Sequence, residues 1–414
     1  MVRHSQLRAG LLGAHLSHSF SPRIHAAFAD YSYRLFEVEA EALEAFLTGD
    51  EFDAINVTIP YKKAVIPYLA EMSEQARRIG AVNTVVRRTD GTLFGHNTDY
   101  DGFLFLVRGA GVSLTGKKVL VLGSGGASLT AQTVAADQGA REVVVISRSG
   151  ENNYQNIERH ADAEILINAT PVGMYPNNGA SPVSLSALPR LEAVFDMIYN
   201  PAKTALLLEA EARGLIACNG LVMLVSQARR AAELFLGEEI TDAECSAVAE
   251  AIAKETRNIV LVGMPGCGKS THGKRIAEAL GRRFVDCDAE IVAEAGRTIP
   301  EIFEAEGERG FRAHESAVLA RLCRESALVI ATGGGAVTRP ENIPVMRQNG
   351  VVVFLDVAPD DLPTKGRPLS QQRTPQALYA ERLPLYRAAA DITLPLCRTD
   401  GKDENTQKIL EALQ

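Results

Sequence analysis

Residues 258–280 read "NIVLVGMPGCGKSTHGKRIAEAL": an apolar run, a glycine-rich turn, and a Lys-Ser pair that opens an amphipathic segment. The spacing from Gly263 to Gly268-Lys269-Ser270, after a strand and before a helix, is that of a phosphate-binding loop. Backbone N–H groups of such a turn, here the stretch holding Gly263, Gly266, Cys267, Gly268 and Thr271, surround the phosphates. Lys269 neutralises the β- and γ-phosphates, and the Ser270 hydroxyl ligates Mg²⁺. ATP-Mg is the expected ligand.

A second glycine-rich turn of another design lies far earlier, in "KKVLVLGSGGASLTAQTVAADQGAREVVVISR". Gly123-Ser124-Gly125-Gly126-Ala127-Ser128 has the strand–turn–helix context of a dinucleotide-binding turn, with Ser128 in place of the third small residue. The next strand ends in Ser147-Arg148-Ser149, where an NAD site would carry an acid. An arginine flanked by serines suits a 2′-phosphate, so NADP(H) is the expected cofactor.

A chain of 414 residues suits two or three domains. Short β-branched runs such as "DAINVTI", "EVVVIS" and "VVVFLDV" alternate with helical periods, which predicts an α/β protein with largely parallel sheets. The clearest boundary falls at about residues 254–258, where "TDAECSAVAEAIAKETRN" runs straight into the strand before the phosphate loop. A net charge of −8 argues against a nucleic-acid partner. The six scattered cysteines read as free thiols of a reducing compartment. The N-terminus lacks a signal peptide's apolar core, and no apolar run reaches bilayer length, so no membrane partner and a cytoplasmic location are expected.

Before the first glycine turn, "LLGAHLSHSFSPRIHAAF" places Ser21-Pro22 as a helix N-cap and first-turn proline, leaving His18 and Ser19 unexplained. Hydroxyls clustered at a helix start can also hold a carboxylate. "FDAINVTIPYKKAVIPYL" puts Thr58 at a strand end and Lys62 at the start of a helix, where the dipole would lower a lysine pKa and favour acid–base chemistry. "IGAVNTVV" and "FGHNTDYDGF" add Asn83, Asn97 and Asp99.

In this order, "SHSFSP", "NVTIPYK", "GAVNT", "GHNTD", the glycine turn, "NATPVGM" and "NGLVMLVSQA" resemble shikimate dehydrogenase over about residues 8–250. The resemblance implies a two-lobed enzyme that reduces 3-dehydroshikimate with NADPH. A catalytic lobe at 1–100, completed by helices in 224–254, would accompany a Rossmann lobe at 101–223. It implies Lys62 and Asp99 as the catalytic pair, with Ser19, Ser21, Thr58, Asn83, Asn97, Tyr199 and Gln227 on the substrate. The nicotinamide side would meet Asn168, Ala169, Thr170, Met197, Gly220 and Met223. His96 stands where many relatives have an acid, and Tyr100-Asp101 follows where glycine is common.

After the phosphate loop, "RRFVDCDAEIVAEAG" places Asp286 and Asp288 behind a strand, with Asp288 also readable as a helix N-cap. "FRAHE" sets Arg312 and Glu315 one turn apart, as an ion pair or a site. Gly333-Gly334-Gly335 permit close backbone approach to a ligand. The order P-loop, "DCD", "FRAHE", "TGGG", "RPL", "ERLPLY" resembles shikimate kinase, in a domain taken as 257–414 with a parallel, nucleoside-monophosphate-kinase-like sheet. The resemblance implies Asp288 at the attacking hydroxyl and Asp286 on Mg²⁺ through water. Arg312, Arg382 and Gly333–Gly335 would hold shikimate, Arg367 the adenine side, and Arg373 would be a lid arginine. Pro363-Thr364-Lys365 is a shorter junction than the family usually has. The two halves together imply a bifunctional enzyme linked by shikimate. The rival is an NAD-linked quinate/shikimate dehydrogenase joined to another small-metabolite kinase, or one silent half.

Overall fold

The computed structural model describes residues 6–16, 19–362 and 374–413. His18, Pro363-Thr364-Lys365, Arg367 and Arg373 lie outside the described residues. The chain divides into two compact units: Met1–Met174 with Ala180–Tyr199 and Glu209–Ala253, and Lys254–Gln414 with Tyr175–Gly179 and Asn200–Leu208. Among the described residues the strands form three sheets.

The first sheet draws on β1 (Arg8–Gly13), α1 (Ser21–Phe28), β2 (Ser32–Glu37), α2 (Leu43–Thr48), β3 (Ala54–Val57), β4 (Glu71–Met72), α3 (Glu74–Ile79), β5 (Thr84–Arg87) and β6 (Leu93–His96). Its order is β2-β1-β3-β5-β6-β4. β1 runs parallel to β2 and β3, but β5 is antiparallel to both β3 and β6, so the expected parallel sheet is mixed here. The cause is local: Gly91 at φ +84° turns the chain between β5 and β6, and Arg88 N–H donates to Thr92 O at 2.8 Å to close the hairpin.

The second sheet follows α4 (Thr98–Gly109) and is built from β7 (Lys118–Leu122), α5 (Gly126–Asp137), β8 (Glu142–Ile146), β9 (Ile165–Asn168), β10 (Ala193–Asp196), α6 (Ala205–Ala212) and β11 (Ile216–Cys218). It is parallel throughout in the order β11-β10-β9-β7-β8. Every residue of β7 is buried, as a strand covered on both faces requires. The strand order reverses at β7, and the crevice beyond that end is where open α/β sheets bind ligands.

Two more helices, α7 (Leu221–Leu236) and α8 (Asp242–Thr256), complete the first unit. α7 serves both sheets. Met223 packs into the core of the second, while Ala231, Ala232 and Phe235 pack with Ala9 and Ala54 of the first. A Cβ on Gly102 would lie 2.6 Å from Met223 O, so the close crossing of α4 and α7 demands glycine there.

The third sheet belongs to the second unit, with β12 (Asn258–Val262), α9 (Lys269–Ala279), β13 (Arg283–Asp286), α10 (Cys287–Ala295), α11 (Ile299–Leu322), β14 (Leu328–Ala331), α12 (Asn342–Arg347), β15 (Gly350–Val357), α13 (Pro375–Ala389), β16 (Ile392–Leu396) and α14 (Gly401–Ala412). It is parallel, in the order β13-β14-β12-β15-β16. α11 opens on a capping box of Thr298 and Glu301 and breaks at Gly307 (φ 69°, ψ −175°). That break re-aims the segment bearing Arg312 and Glu315. No helix among the described residues is long and apolar enough to cross a membrane.

Candidate active sites

Lys62 Nζ lies 2.6 Å from Asp99 Oδ2, both side chains partly exposed. Lys62 does not begin a helix. It sits in a run of turns that ends in a short 3₁₀ turn at Ile66–Tyr68. The expected dipole has no helix to arise from, and the Asp99 carboxylate in the first turn of α4 is the charge that Lys62 faces. Val82 N–H donates to Lys62 O at 2.8 Å and ties the lysine backbone to the entry of β5.

Asn83 is buried and its Oδ1 accepts from Thr98 N–H at 2.7 Å. Thr98 Oγ1 in turn lies 3.3 Å from Gln227 Oε1. Asn97 is buried and donates from Nδ2 to Ala81 O at 2.9 Å, while its Oδ1 has no partner among the described residues. A buried carbonyl oxygen without a donor is costly, and a substrate hydroxyl would satisfy it. These contacts bring Lys62, Asp99, Asn83, Asn97 and Gln227 together.

Ser19, Ser21, Thr58 and Tyr199 are held by other contacts. Ser21 is not the N-cap of α1: Phe20 holds that position, and Ser19 Oγ accepts from Ser21 N–H at 3.1 Å. Thr58 N–H donates to Leu12 O at 2.9 Å. Tyr199 meets Phe20 edge-on with centroids 6.0 Å apart.

At the end of β7, Gly123 has φ +102°, and a Cβ there would lie 3.1 Å from Ala169 O. A Cβ on Gly125 or Gly126 would meet no protein atom within 4 Å. Packing therefore asks for glycine at Gly123 alone, and the space over Gly125 and Gly126 is open to a ligand that comes close to the backbone. Gly125 caps α5 without a side-chain bond, leaving helix N–H groups for an anion. Ser124 and Ala127 are exposed, whereas Ser128 is buried and accepts from Gln132 Nε2 at 3.0 Å. Arg148 and Ser149 are exposed beyond β8, and Ser147 N–H donates to Asn152 O at 3.2 Å. Asn168 braces the neighbouring turn: Nδ2 donates to Asp196 Oδ1 at 3.0 Å, and Oδ1 accepts from Thr170 Oγ1 at 2.7 Å. A Cβ on Gly220 would lie 2.2 Å from Met197 O, so those two backbones touch.

In the second unit a cleft of about 610 Å³ is lined by the phosphate loop, Asp286, Asp288, Arg312, Glu315, Gly333–Gly335 and Arg382. Gly263, Gly266 and Gly268 have φ of +145°, +89° and +97°, which shapes the loop. Lys269 Nζ donates to Gly263 O at 2.8 Å and Met264 O at 3.0 Å. Ser270 Oγ donates to Asp286 Oδ2 at 2.6 Å. Asp286, not Asp288, is the N-cap of α10, its Oδ1 accepting from Asp288 N–H at 3.0 Å. The capping reading of Asp288 is thereby removed, and Asp288 lines the cleft.

Arg312 and Glu315 are both ion pair and cleft wall. Arg312 Nη1 lies 2.7 Å from Glu315 Oε2, and Glu315 is fully buried. Burial pushes the Glu315 carboxyl up, an effect that Arg312 partly offsets. Burial pulls on Arg312 in the opposite sense, but Glu315 and Glu308 more than offset it, so the guanidinium stays charged. A Cβ on Gly333 would lie 2.2 Å from Glu315 Oε1, and one on Gly335 would lie 2.1 Å from Arg312 Nη2. Arg382 Nη1 and Tyr386 Oη both donate to Gly334 O, at 3.0 and 2.5 Å. Three cations (Lys269, Arg312, Arg382) thus face three carboxylates (Asp286, Asp288, Glu315).

A second cavity of about 400 Å³ shares Gly266, Gly268 and Thr271 and adds His272, Lys402 and Asn405. Thr406 Oγ1 donates to Lys402 O at 2.7 Å and lies 2.9 Å from His272 Nδ1, so the histidine carries its proton on Nδ1. Asn405 Oδ1 is buried without a partner among the described residues. Sequence reasoning missed these residues, because α14 lies far from the loop in the chain and carries no motif. Their one signal was His272 itself, a polar residue on the buried face of α9.

The fold and the two sites define a dinucleotide-dependent oxidoreductase followed by a P-loop kinase. Residues 11–85 match the shikimate dehydrogenase substrate binding domain and residues 265–414 match shikimate kinase. The shikimate dehydrogenase (NADP(+)) of Clostridium beijerinckii is 36% identical over 245 residues, spanning 55% of this chain and 90% of that protein. The crystal structure of a chorismate mutase/shikimate 5-dehydrogenase fusion protein from Clostridium acetobutylicum superposes with a TM-score of 0.56 at 35% identity, covering 59% of this chain and 96% of that one. Shikimate 5-dehydrogenase from Thermus thermophilus, solved with NADP(H) and shikimate, gives 0.54 at 34% identity, covering 59% and 99%. This chain belongs to the shikimate dehydrogenase family and carries a shikimate kinase domain after it, which makes it a bifunctional enzyme of the shikimate pathway.

Proposed function

We propose that the first unit reduces 3-dehydroshikimate to shikimate and the second converts shikimate to shikimate 3-phosphate, in the cytoplasm. The catalytic lobe is taken as 1–100 with helices of 224–254, the Rossmann lobe as 101–223 and the kinase as 257–414. NADPH, when bound, supplies the hydride. Gly125 and Gly126 fit its pyrophosphate, since no packing demands glycine there, and exposed Arg148 fits its 2′-phosphate. Lys62 donates the proton that the developing alkoxide needs, and Asp99 holds the ammonium in place. Asn83, Asn97 and Gln227 orient the substrate hydroxyls, with Ser19, Ser21, Thr58 and Tyr199 on its other groups. The turn braced by Asn168, with Met197, Gly220 and Met223, walls the nicotinamide side.

In the kinase, Asp288 takes the proton of the attacking hydroxyl, Lys269 neutralises the moving phosphoryl group, and Arg312 and Arg382 take the shikimate carboxylate. Ser270 and Asp286 offer two hard oxygens 2.6 Å apart, which fits Mg²⁺, a metal that prefers oxygen ligands and keeps water in its shell. The base would occupy the cavity beside His272 and Asn405. The observation that carries this reading is the single cleft in which a phosphate loop, Asp288 and two buried arginines converge. The test is a one-pot assay with 3-dehydroshikimate and ATP-Mg, supplied with NADPH or NADH, following nicotinamide oxidation and ADP release separately. Stoichiometric release of both with NADPH is expected. ADP release that does not depend on 3-dehydroshikimate, or equal turnover with NADH, would refute it.

A further inference from the structure

We propose that Ser73, His96 and Asp101 form a brace that positions Asp99 against Lys62. The inference rests on the dehydrogenase reading above. His96 is the last residue of β6 and is buried. Its Nδ1 lies 2.7 Å from Ser73 Oγ, and its Nε2 lies 2.7 Å from Asp101 Oδ2. A carboxylate oxygen accepts, so Nε2 carries a ring proton, and in the neutral imidazole Nδ1 then accepts from the Ser73 hydroxyl. Ser73 still has a lone pair for Ala76 N–H, at 3.1 Å, and so caps α3 at the same time. The second oxygen of Asp101 faces Arg230 Nε of α7 at 3.8 Å, and Arg230 Nη1 is paired with Glu233 Oε2 at 3.0 Å.

The backbone supports the same arrangement. Ser73 N–H donates to Gly95 O at 2.9 Å, and Asn83 N–H donates to His96 O at 3.1 Å. One imidazole therefore joins the start of α3, the end of β6 and the first turn of α4. The bond from His96 to Asp101 closes a short ring of chain, and Asn97, Thr98 and Asp99 lie inside it. Two of the positions where "GHNTDYD" departs from the resembled pattern, His96 and Asp101, are thus each other's partners. Asp99 meets Lys62 at 2.6 Å, a contact in which a small displacement of the carboxylate is felt directly.

The test uses the full chain and reads dehydrogenase kcat, KM for 3-dehydroshikimate, NADPH affinity by nucleotide fluorescence, and kinase kcat. His96→Ala should lower dehydrogenase kcat by about 10- to 100-fold, with NADPH affinity and kinase kcat within about twofold of the parent. His96→Gln, whose amide reaches one partner at a time, should fall between. Asp101→Asn still accepts from Nε2–H and should keep kcat within about threefold. If the parent fails to reduce 3-dehydroshikimate, the functional reading fails and the brace with it. If the parent is active and His96→Ala keeps its kcat, the brace alone is overturned. Loss of NADPH binding in both His96→Ala and His96→Gln would show a role in holding the unit together and would also overturn it.

Discussion

Ser270 Oγ and Asp286 Oδ2 stand 2.6 Å apart, joining the first turn of α9 to the end of β13. The other oxygen of Asp286 caps α10. One carboxylate thus does two jobs that substitution can separate. Asp286→Asn keeps a capping oxygen but loses charge, so the Mg²⁺ needed for half-maximal kinase rate should rise by about 10-fold with little change in melting temperature. Asp286→Ala should show the same metal defect and also lose about 1 kcal/mol of stability. Metal titration of the kinase rate and thermal unfolding check both.

The two chemistries should be separable in one polypeptide. Lys62→Ala should cut dehydrogenase kcat by about 10²- to 10⁴-fold, the usual range for a general acid, and leave kinase turnover intact. Asp288→Asn should do the reverse. Separate initial-rate assays decide it, and a loss in the unmutated half would contradict the assignment.

Glycines in the two sites should respond differently to alanine. At Gly125 a methyl group meets no protein atom, so Gly125→Ala should leave thermal stability within about 0.5 kcal/mol while weakening NADPH binding by about 10-fold or more. At Gly335 the methyl would fall on the Arg312 guanidinium. Gly335→Ala should therefore raise the kinase KM for shikimate by about 10-fold or more without touching the dehydrogenase. Fluorescence titration and kinase kinetics read the two outcomes.

Stability of the first unit should fall in acid because of His25. Its imidazole is buried against Tyr31 and Tyr33, and burial pulls its pKa from 6.5 down to about 3. The unfolded chain then binds more protons than the folded one between those values, so stability is full above pH ~6.5 and declines as pH falls toward 3. The slope from this group is at most about 1.4 kcal/mol per pH unit. Heat inactivation of the dehydrogenase at pH 7 and pH 5 measures it, and His25→Gln should flatten the difference.

Local pattern was enough to read the α/β class, both glycine turns and the start of the kinase strand, because strand, turn and helix there are consecutive in the chain. β12, the phosphate loop and α9 needed no distant contact to be recognised. Lys62, Asp99, Asp288 and Arg312 were legible as residues of interest from their motifs and the family resemblance. Several local readings failed where a neighbour in the chain was the wrong partner. Ser21 was read as a cap and Asp288 was open to that reading too, yet Phe20 and Asp286 hold those positions, and Lys62 sits in a turn. The first sheet is mixed because the Gly91 hairpin reverses β5 against β6, a pairing invisible in the periodicity of either strand. What only the tertiary structure decided was which side chains meet. Lys62 finds Asp99 across 37 positions, His272 finds Thr406 across 134, and His96 joins Ser73 to Asp101. Such contacts depend on how sheets and helices pack, and packing is set by the whole buried surface rather than by any stretch of the sequence.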